Sequence, residues 1–348
     1  MRAYVAIMFS VMAVSVVFAQ RPGGSDQRRQ RQPMENRQRQ PGGGGDAMLE
    51  PKASTGLIPL VDMGPDVFHH GEDGGLYGEG RNTPPEEHLR LAMKAASQIQ
   101  PLDSQGRPSP DGRIVLVSSG MSNTRMKFQA FQSLSDPTRH LALVLVNGAQ
   151  GGRHASTWQS EMVWAGVDRQ LTEAGVTAQQ VQVMWMLHAI AGPSVHGEFP
   201  AHARKLKEFT EAAVHKAAAR YPNLKLIYLS SRTYAGYASR GLNPEPYAYE
   251  SAYAVRWLIR EQMAGRPGLN TDPAKGSVRG PVLLWGPYLW ADGEKGRSID
   301  SMVWSRQDYA GDGTHPSASG NRKVAEQMRA FFGADPTAVG WYSGSGQH

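Results

Sequence analysis

The stretch IVLVSSGMSN, residues 114–123, carries the pattern from which the fold can be read. Its first four residues are aliphatic, and such a short apolar run is typical of a strand that is buried on both faces. Small and polar residues follow, as expected of a turn, and residues 126–134 read as a helix. A buried strand that turns directly into a helix is the basic unit of α/β folds.

The same alternation continues along the chain and predicts five strands in total. It indicates an α/β fold, a three-layer αβα sandwich around a central, mostly parallel five-stranded sheet. We find no internal repeat, and we predict one domain over residues 58–340. The predicted strands are 114–117, 141–146, 181–187, 224–229 and 282–285. The predicted helices are 85–99, 126–134, 157–174, 201–221, 249–263 and 317–332.

The N-terminus has the composition of a signal peptide. Arg2 precedes an apolar run over residues 3–18, and the sequence VFA at 17–19 offers small residues where a signal peptidase cuts. The run is shorter than the roughly 20 residues of a membrane span. We therefore predict a signal peptide over residues 1–19, cleavage after Ala19, a secreted or periplasmic protein and no membrane span after cleavage. The alternative is an uncleaved anchor.

Residues 20–47 form a linker rich in Gln, Arg, Gly and Pro, which we predict to be disordered because it lacks apolar residues. This segment and Arg2 account for four of the six net positive charges. The sequence pI of about 9.5 is therefore mainly a property of the N-terminus and does not indicate nucleic-acid binding. The chain has no cysteine, which excludes disulfides, thiolate metal sites and a thiol nucleophile.

Side chains suited to nucleophilic catalysis follow predicted strands or precede the last helix. Ser122 follows the first strand, and a Gly-Gly turn that begins at Gly151 follows the second. Asp312 and His315 lie in the sequence DGTHP, just before the last helix. Serine, histidine and aspartate supply a nucleophile, a base and a group that orients the base. In parallel sheets, ligands bind at the carboxyl ends of the strands.

The ordered set of motifs resembles the SGNH (GDSL-like) hydrolase superfamily. The motifs are GMSN at 120–123, the Gly-Gly turn at 151–152 and Asp-x-x-His at 312–315. The first is similar to that of the Gly-x-Ser-Asn branch, which holds sialate O-acetylesterases and plant-type acetylxylan esterases. The layout also resembles that of a group of exported bacterial proteins. The resemblance spans about residues 114–332 and implies the same αβα fold.

The resemblance implies a role for each motif residue. Ser122 would be the nucleophile, His315 the general base and Asp312 its orienting partner. The backbone N–H groups of Ser122 and Gly151 would form the oxyanion hole. The alternative is structural, because Asp, Thr and Ser are common at helix N-termini. In that case residues 312–315 are only a loop and N-terminal cap for the last helix, and Ser119 and Ser122 only cap the helix that follows the first strand.

One segment departs from the pattern of the superfamily. After the third strand, members carry an asparagine or a carboxylate that completes the oxyanion hole, whereas residues 187–192 read LHAIAG. His188 lies where a donor is expected, and Asn123 and Asn147 are further candidates. The alternative for His188 is a histidine that only packs or forms local hydrogen bonds.

Aromatic residues after the later strands suggest a site for a sugar-like ligand, because aromatic faces stack on such molecules. The candidates for substrate contact are Arg232, Tyr234, Trp285 and Tyr288, and the alternative is that the aromatic side chains belong to the core.

Two histidine-containing segments invite a metal assignment. Neither His69–His70 nor the set His196, Glu198 and His202 has the helical His-Glu-x-x-His spacing, so exposed polar loops and no metal are predicted. No nucleotide-binding fingerprint is present, and no cofactor is predicted.

Two functions remain open from the sequence. The first is an exported serine esterase that removes acetyl or similar acyl groups from an acylated carbohydrate or another small ester, through an acyl-enzyme. The second is a non-catalytic glycan-binding protein on the same fold, which the missing oxyanion donor makes reasonable.

Overall fold

The computed structural model describes residues 48–343. The predicted signal peptide at 1–19 and the predicted linker at 20–47 lie outside these residues. Among the described residues, no helix has both the length and the apolar composition needed to cross a membrane.

The five predicted strands are confirmed, and they form one parallel sheet. The strand order is β2-β1-β3-β4-β5, and every neighbouring pair is parallel. All residues of the central strands β1 and β3 are buried, as expected of strands that are covered on both faces. The strands are β1 (Ile114–Gly120), β2 (Leu143–Val146), β3 (Val181–Leu187), β4 (Leu226–Leu229) and β5 (Val282–Trp285).

Helices cover both faces of the sheet, and the predicted α/β fold class is confirmed. Right-handed crossovers place α2 on one face and α3, α4 and α5 on the other, because the chain moves in opposite directions from β1 to β2 and from β2 to β3. The helix α6 packs against α2, and α4 packs against α5. The helices are α1 (Glu86–Ala96), α2 (Ser122–Ser133), α3 (Glu161–Glu173), α4 (Ala201–Arg220), α5 (Tyr247–Met263), α6 (Ala318–Ala334) and α7 (Val339–Ser343).

The helix α2 begins four residues before the predicted boundary at residue 126. It follows β1 with only Met121 between strand and helix. The first turn contains Asn123 and Thr124, which are poor helix formers, so local propensity conceals the true start. Both side chains are buried at the end of the sheet, and this tertiary packing favours the helix.

The strand order places the loops after β1 and β3 at the point where the winding direction reverses. From β1 the chain crosses to β2 on one side, whereas β3 lies on the other side of β1. The loops that leave the two strands therefore diverge, and a crevice opens between them at the carboxyl ends of the strands. Ser122 and His188 follow β1 and β3 directly at this edge.

Candidate active site

The turn after β1 is tightly constrained by its surroundings. Gly120 has φ +148°, and a Cβ atom there would lie 2.3 Å from the carbonyl oxygen of Leu187 and 2.3 Å from Oγ1 of Thr124. The Thr124 hydroxyl donates a hydrogen bond of 2.8 Å to the same Leu187 carbonyl. Only glycine fits this position, and the close packing allows the chain to enter α2 so that Ser122 lies in its first turn.

The structure brings the side chains of Ser122, His315 and Asp312 into a continuous chain of hydrogen bonds. The Oγ of Ser122 lies 2.9 Å from Nε2 of His315. On the other side of the ring, Nδ1 of His315 lies 2.6 Å from Oδ2 of Asp312. Ser122 is partly buried, and the side chains of His315 and Asp312 are 31% and 45% exposed, so solvent and substrate reach the site from the surface.

The loop over residues 312–315 is built around the Asp312 carboxylate. Its Oδ1 accepts hydrogen bonds of 2.9 Å from the backbone N–H groups of Thr314 and His315. Burial alone would raise the pKa of Asp312, but the hydrogen bonds from the His315 ring and from these N–H groups outweigh it and lower the pKa below its usual value. The carboxylate is therefore charged and positioned to hold the Nδ1–H tautomer of His315.

Ser239, which the sequence interpretation missed, supports the same loop. Its backbone N–H and its hydroxyl each donate a hydrogen bond of 3.1 Å to the carbonyl oxygen of Asp312. Gly313 next to it has φ +65°, and a Cβ there would lie 1.7 Å from the carbonyl oxygen of Tyr237. No local signal identifies Ser239, because the contact joins segments more than seventy residues apart.

The part of the structural alternative that makes these motifs helix caps is wrong. The N-cap of α2 is Met121, and no side chain caps this helix. The N-cap of α6 is Ser317, whose hydroxyl accepts from the N–H of Gly320. Ser122 lies inside the first turn of its helix, and Asp312 lies five residues before the N-cap of α6, so neither side chain acts as a cap.

The backbone offers two N–H groups near Ser122. The N–H of Ser122 lies at the N-terminus of α2, where unpaired N–H groups and the helix dipole favour negative charge. The loop after β2 is held against the turn by a hydrogen bond of 3.0 Å from Gln150 N–H to the Gly120 carbonyl. Within residues 48–343, the N–H of the next residue, Gly151, has no hydrogen-bond partner, and this glycine is exposed.

The three candidates for a third oxyanion donor are engaged elsewhere in the structure, and the Asn147 side-chain amide donates 2.9 Å to the Arg125 carbonyl. His188 is buried, its Nε2 lies 3.1 Å from the Ser119 hydroxyl, and its ring stacks on Trp158 with centroids 5.3 Å apart. Burial lowers the pKa of His188 to about 3, so its imidazole is neutral. The side-chain amide of Asn123 donates 3.2 Å to the Thr314 carbonyl, which ties α2 to the loop of His315.

The four later side chains predicted to contact substrate, Arg232, Tyr234, Trp285 and Tyr288, are all buried in the core. Arg232 donates from Nε to Asn243, and Tyr288 accepts a hydrogen bond from the Leu60 backbone. The Tyr234 hydroxyl donates to the Lys52 carbonyl, and the indole of Trp285 donates to the Leu76 carbonyl. The aromatic enrichment after the strands thus reflects core packing, the alternative that the sequence left open.

The prediction that the segments of His69–His70 and of His196 to His202 are exposed polar loops is wrong in part. His202 is buried in α4, and the side chain of His69 is only 12% exposed. Both imidazoles contact the same carboxylate, that of Glu250 in α5. The sequence interpretation missed Glu250, since it lies about fifty residues from one histidine and more than 180 from the other.

No protein-family model matches the chain, and no curated protein matches it. Solved structures that resemble it include a lipase from a goat rumen metagenome and a family 3 carbohydrate esterase from Clostridium thermocellum. The first is 13% identical, with a TM-score of 0.33, over 62% of this chain and 96% of the lipase. The second is 11% identical, with a TM-score of 0.37, over 65% of this chain and 98% of the esterase. The first is named a lipase and the second a carbohydrate esterase.

Proposed function

We propose that the protein is a serine ester hydrolase that removes acetyl or similarly small acyl groups from carbohydrate hydroxyls. The observation that carries this proposal is the chain of contacts from Ser122 Oγ to His315 Nε2, 2.9 Å, and from His315 Nδ1 to Asp312 Oδ2, 2.6 Å. Serine is a poor nucleophile unless a neighbouring base accepts its proton, and this arrangement supplies such a base with its own orienting carboxylate.

In the first half of the reaction, Ser122 Oγ attacks the carbonyl carbon of the ester while its proton passes to Nε2 of His315. Asp312 stabilises the resulting imidazolium through Nδ1–H. The backbone N–H groups of Ser122 and Gly151 donate to the oxyanion. Collapse of the tetrahedral intermediate breaks the bond to the alcohol oxygen, which takes the proton from His315 Nε2 and departs. The acyl group remains on Ser122.

In the second half, His315 accepts a proton from water, and the hydroxide attacks the acyl-enzyme carbonyl. The second tetrahedral intermediate collapses with release of the carboxylic acid, and His315 returns the proton to Ser122 Oγ. The net reaction consumes one ester and one water and yields one acid and one alcohol.

The exposure of the site supports a substrate that carries its ester on a large polar molecule. Because His315 and Asp312 are 31% and 45% exposed, an ester on a sugar at the surface of a larger molecule can reach Ser122. The signal-peptide composition of residues 1–19 supports export, and we propose that the protein acts outside the cytoplasm on acylated glycans.

Labelling with a fluorophosphonate probe, together with hydrolysis of aryl acetates and acetylated sugars, tests the proposal. Wild type should be labelled, whereas Ser122→Ala and His315→Ala should lose both labelling and activity. Asp312→Asn keeps the fold but presents an amide to Nδ1, so we expect kcat to fall by about 10²- to 10⁴-fold.

The matched control is Ser133→Ala, which removes an exposed serine at the other end of α2 and should label and turn over like wild type. A folded wild-type protein that is neither labelled nor active, but that binds glycans, would instead support the non-catalytic alternative. Activity on aryl acetates without activity on acetylated sugars would overturn the carbohydrate part of the proposal alone.

A further inference from the structure

Three side chains from two distant segments converge in a cluster that contains none of Ser122, Asp312 and His315. His69 and His70 come from a hairpin near the start of the described chain, and Glu250 comes from the first turn of α5. One ligating atom of each, an imidazole nitrogen or a carboxylate oxygen, lies within 4.8 Å of the other two. Two imidazoles and one carboxylate are a common ligand set for transition metals in proteins.

Glu250 is the centre of this group. It is 2% exposed, its Oε1 lies 3.0 Å from Nε2 of His69, and its Oε2 lies 2.6 Å from Nε2 of His202. Among residues 48–343, its ion-pair partners are these two histidines, and no lysine or arginine reaches it.

A buried carboxylate without a permanent positive charge beside it is costly. A divalent cation held between Glu250, His69 and His70 would supply that charge. His202 would then bind the other carboxylate oxygen and orient it, as hydrogen-bond partners commonly do for carboxylates that ligate metals. The same imidazoles can act as ligands in the neutral state, because each has a lone pair available on one ring nitrogen.

The backbone presents both histidines to the site. Paired hydrogen bonds between His69 and Glu72, 2.9 and 3.0 Å, close a two-residue turn in which His70 and Gly71 have φ +48° and +86°. The hairpin is fixed to α5 by the buried Arg256, whose guanidinium lies 2.5 Å from the Glu72 carboxylate and 2.6 Å from the Asp73 carbonyl. The position of His70 is thus set by the same helix that carries Glu250.

The group has an open side. A cavity of about 180 Å³ is lined by His70, Glu250, Glu198, Phe199, Pro246 and Tyr247. It provides room for a water molecule next to an ion. Water is the usual fourth ligand when a protein supplies three. Glu198, from the loop before α4, adds a second carboxylate to its wall.

We propose that His69, His70 and Glu250 bind a divalent transition-metal ion, with Zn²⁺ the best match, and that His202 positions the Glu250 carboxylate. Ligand atoms of a tetrahedral zinc site lie about 3.3 Å apart for metal–ligand bonds of about 2.0–2.1 Å. The ligating atoms of His69, His70 and Glu250 now lie within 4.8 Å of one another, and rotation of the exposed His70 side chain would bring them to that spacing. Ca²⁺ and Mg²⁺ prefer oxygen ligands and fit two imidazoles poorly.

Zinc titration of the chelator-treated full chain, purified without a histidine tag, tests the proposal. Calorimetry in competition with a chelator should give one Zn²⁺ per chain with a Kd of about 1 μM or tighter. Co²⁺ should give the visible absorption of a four-coordinate site. His70→Ala removes an exposed side chain without disturbing the core and should weaken Zn²⁺ binding at least tenfold, and Glu250→Gln should do the same.

His215→Ala is the matched control, because His215 also lies beside a glutamate, 3.6 Å from Glu211, but on the exposed surface of α4. It should bind Zn²⁺ like wild type. Absence of binding in wild type, equal loss in His215→Ala, unchanged affinity in His70→Ala, or tight binding of Ca²⁺ in place of Zn²⁺ would each overturn the proposal. The outcome is independent of esterase activity, since none of the three variants replaces Ser122, Asp312 or His315.

Discussion

His188 shows how a single buried side chain departs from what its sequence position suggests. It follows β3 at the edge where an oxyanion donor is expected, yet its ring is stacked on Trp158 and bound to the Ser119 hydroxyl. Because burial lowers the pKa of His188 to about 3, the folded protein keeps it neutral at pH values where the unfolded chain, with a histidine pKa near 6.5, is protonated.

We therefore expect His188 to make stability depend on pH. Between about pH 6.5 and 3 the unfolded state binds one more proton than the folded state, so its contribution is complete above pH 6.5 and is lost as the pH falls. The slope is about 1.4 kcal/mol per pH unit for one proton. Denaturant unfolding of wild type and His188→Gln at several pH values gives the free energy of unfolding of each. The difference between their pH slopes is the contribution of His188.

In His188→Gln that part of the slope should be absent, because glutamine keeps a polar group near Ser119 but does not titrate. The variant Ser133→Ala, at an exposed position that does not titrate, serves as a control and should retain the wild-type slope. Equal slopes in wild type and His188→Gln would show that folding does not lower the pKa of His188.

The connection between β1 and α2 is the element on which the candidate active site depends. At Gly120 the chain packs against the Leu187 carbonyl and Thr124 so closely that no side chain fits. This contact joins the ends of the neighbouring strands β1 and β3 and determines where α2 begins.

Gly120→Ala should accordingly destabilise the protein by about 3 kcal/mol or more, because a methyl group would lie 2.3 Å from two atoms in a backbone conformation that alanine avoids. Gly333→Ala is the matched control. Gly333 is exposed in α6 with nothing within 4 Å of an added Cβ, so this change should stabilise by about 0.5–1 kcal/mol. Chemical denaturation measures the free energy of unfolding of both variants. A Gly120→Ala variant as stable as wild type would contradict the steric constraint at this position.

Strands and helices could be predicted from the sequence where the local residue pattern reflects which side chains are buried. The five apolar runs became the five strands because a sheet covered on both faces requires continuous apolar sequence. The start of α2 was not predictable, since Asn123 and Thr124 disfavour a helix and are held in it by contacts with Thr314 and Leu187. Ser122, Asp312 and His315 were selected from the sequence as candidates, but their contacts depend on the packing of loops nearly two hundred residues apart.

The whole molecule is held together in part by one buried carboxylate that anchors the chain before the first helix. Asp292 is fully buried and accepts hydrogen bonds of 2.6–3.0 Å from Ser54, Thr55 and Gly56. The Tyr288 hydroxyl accepts another from the backbone of Leu60. Residues 54–60 are thereby attached to the loop after β5, more than 225 positions away.

Asp292→Ala should detach this segment. We expect a loss of about 2–4 kcal/mol in the free energy of unfolding, because several donors lose a charged acceptor. Trypsin should also cut faster after Lys52, which is exposed and lies just before the anchored residues. Mass spectrometry of the digest measures the cleavage rate. Asp111→Ala, at an exposed position, is the control and should match wild type; equal rates in all three proteins would contradict the anchoring role.

By itself, the sequence determined the α/β alternation and the candidates Ser122, Asp312 and His315, because strand periodicity and short motifs at strand ends are local properties. Tertiary structure alone decided which polar and aromatic side chains are buried. It placed Trp285 and Tyr288 in the core and joined His69, His70 and His202 around Glu250. Such groupings depend on the packing of segments far apart in the chain, and no local pattern encodes which distant side chain will share a buried charge.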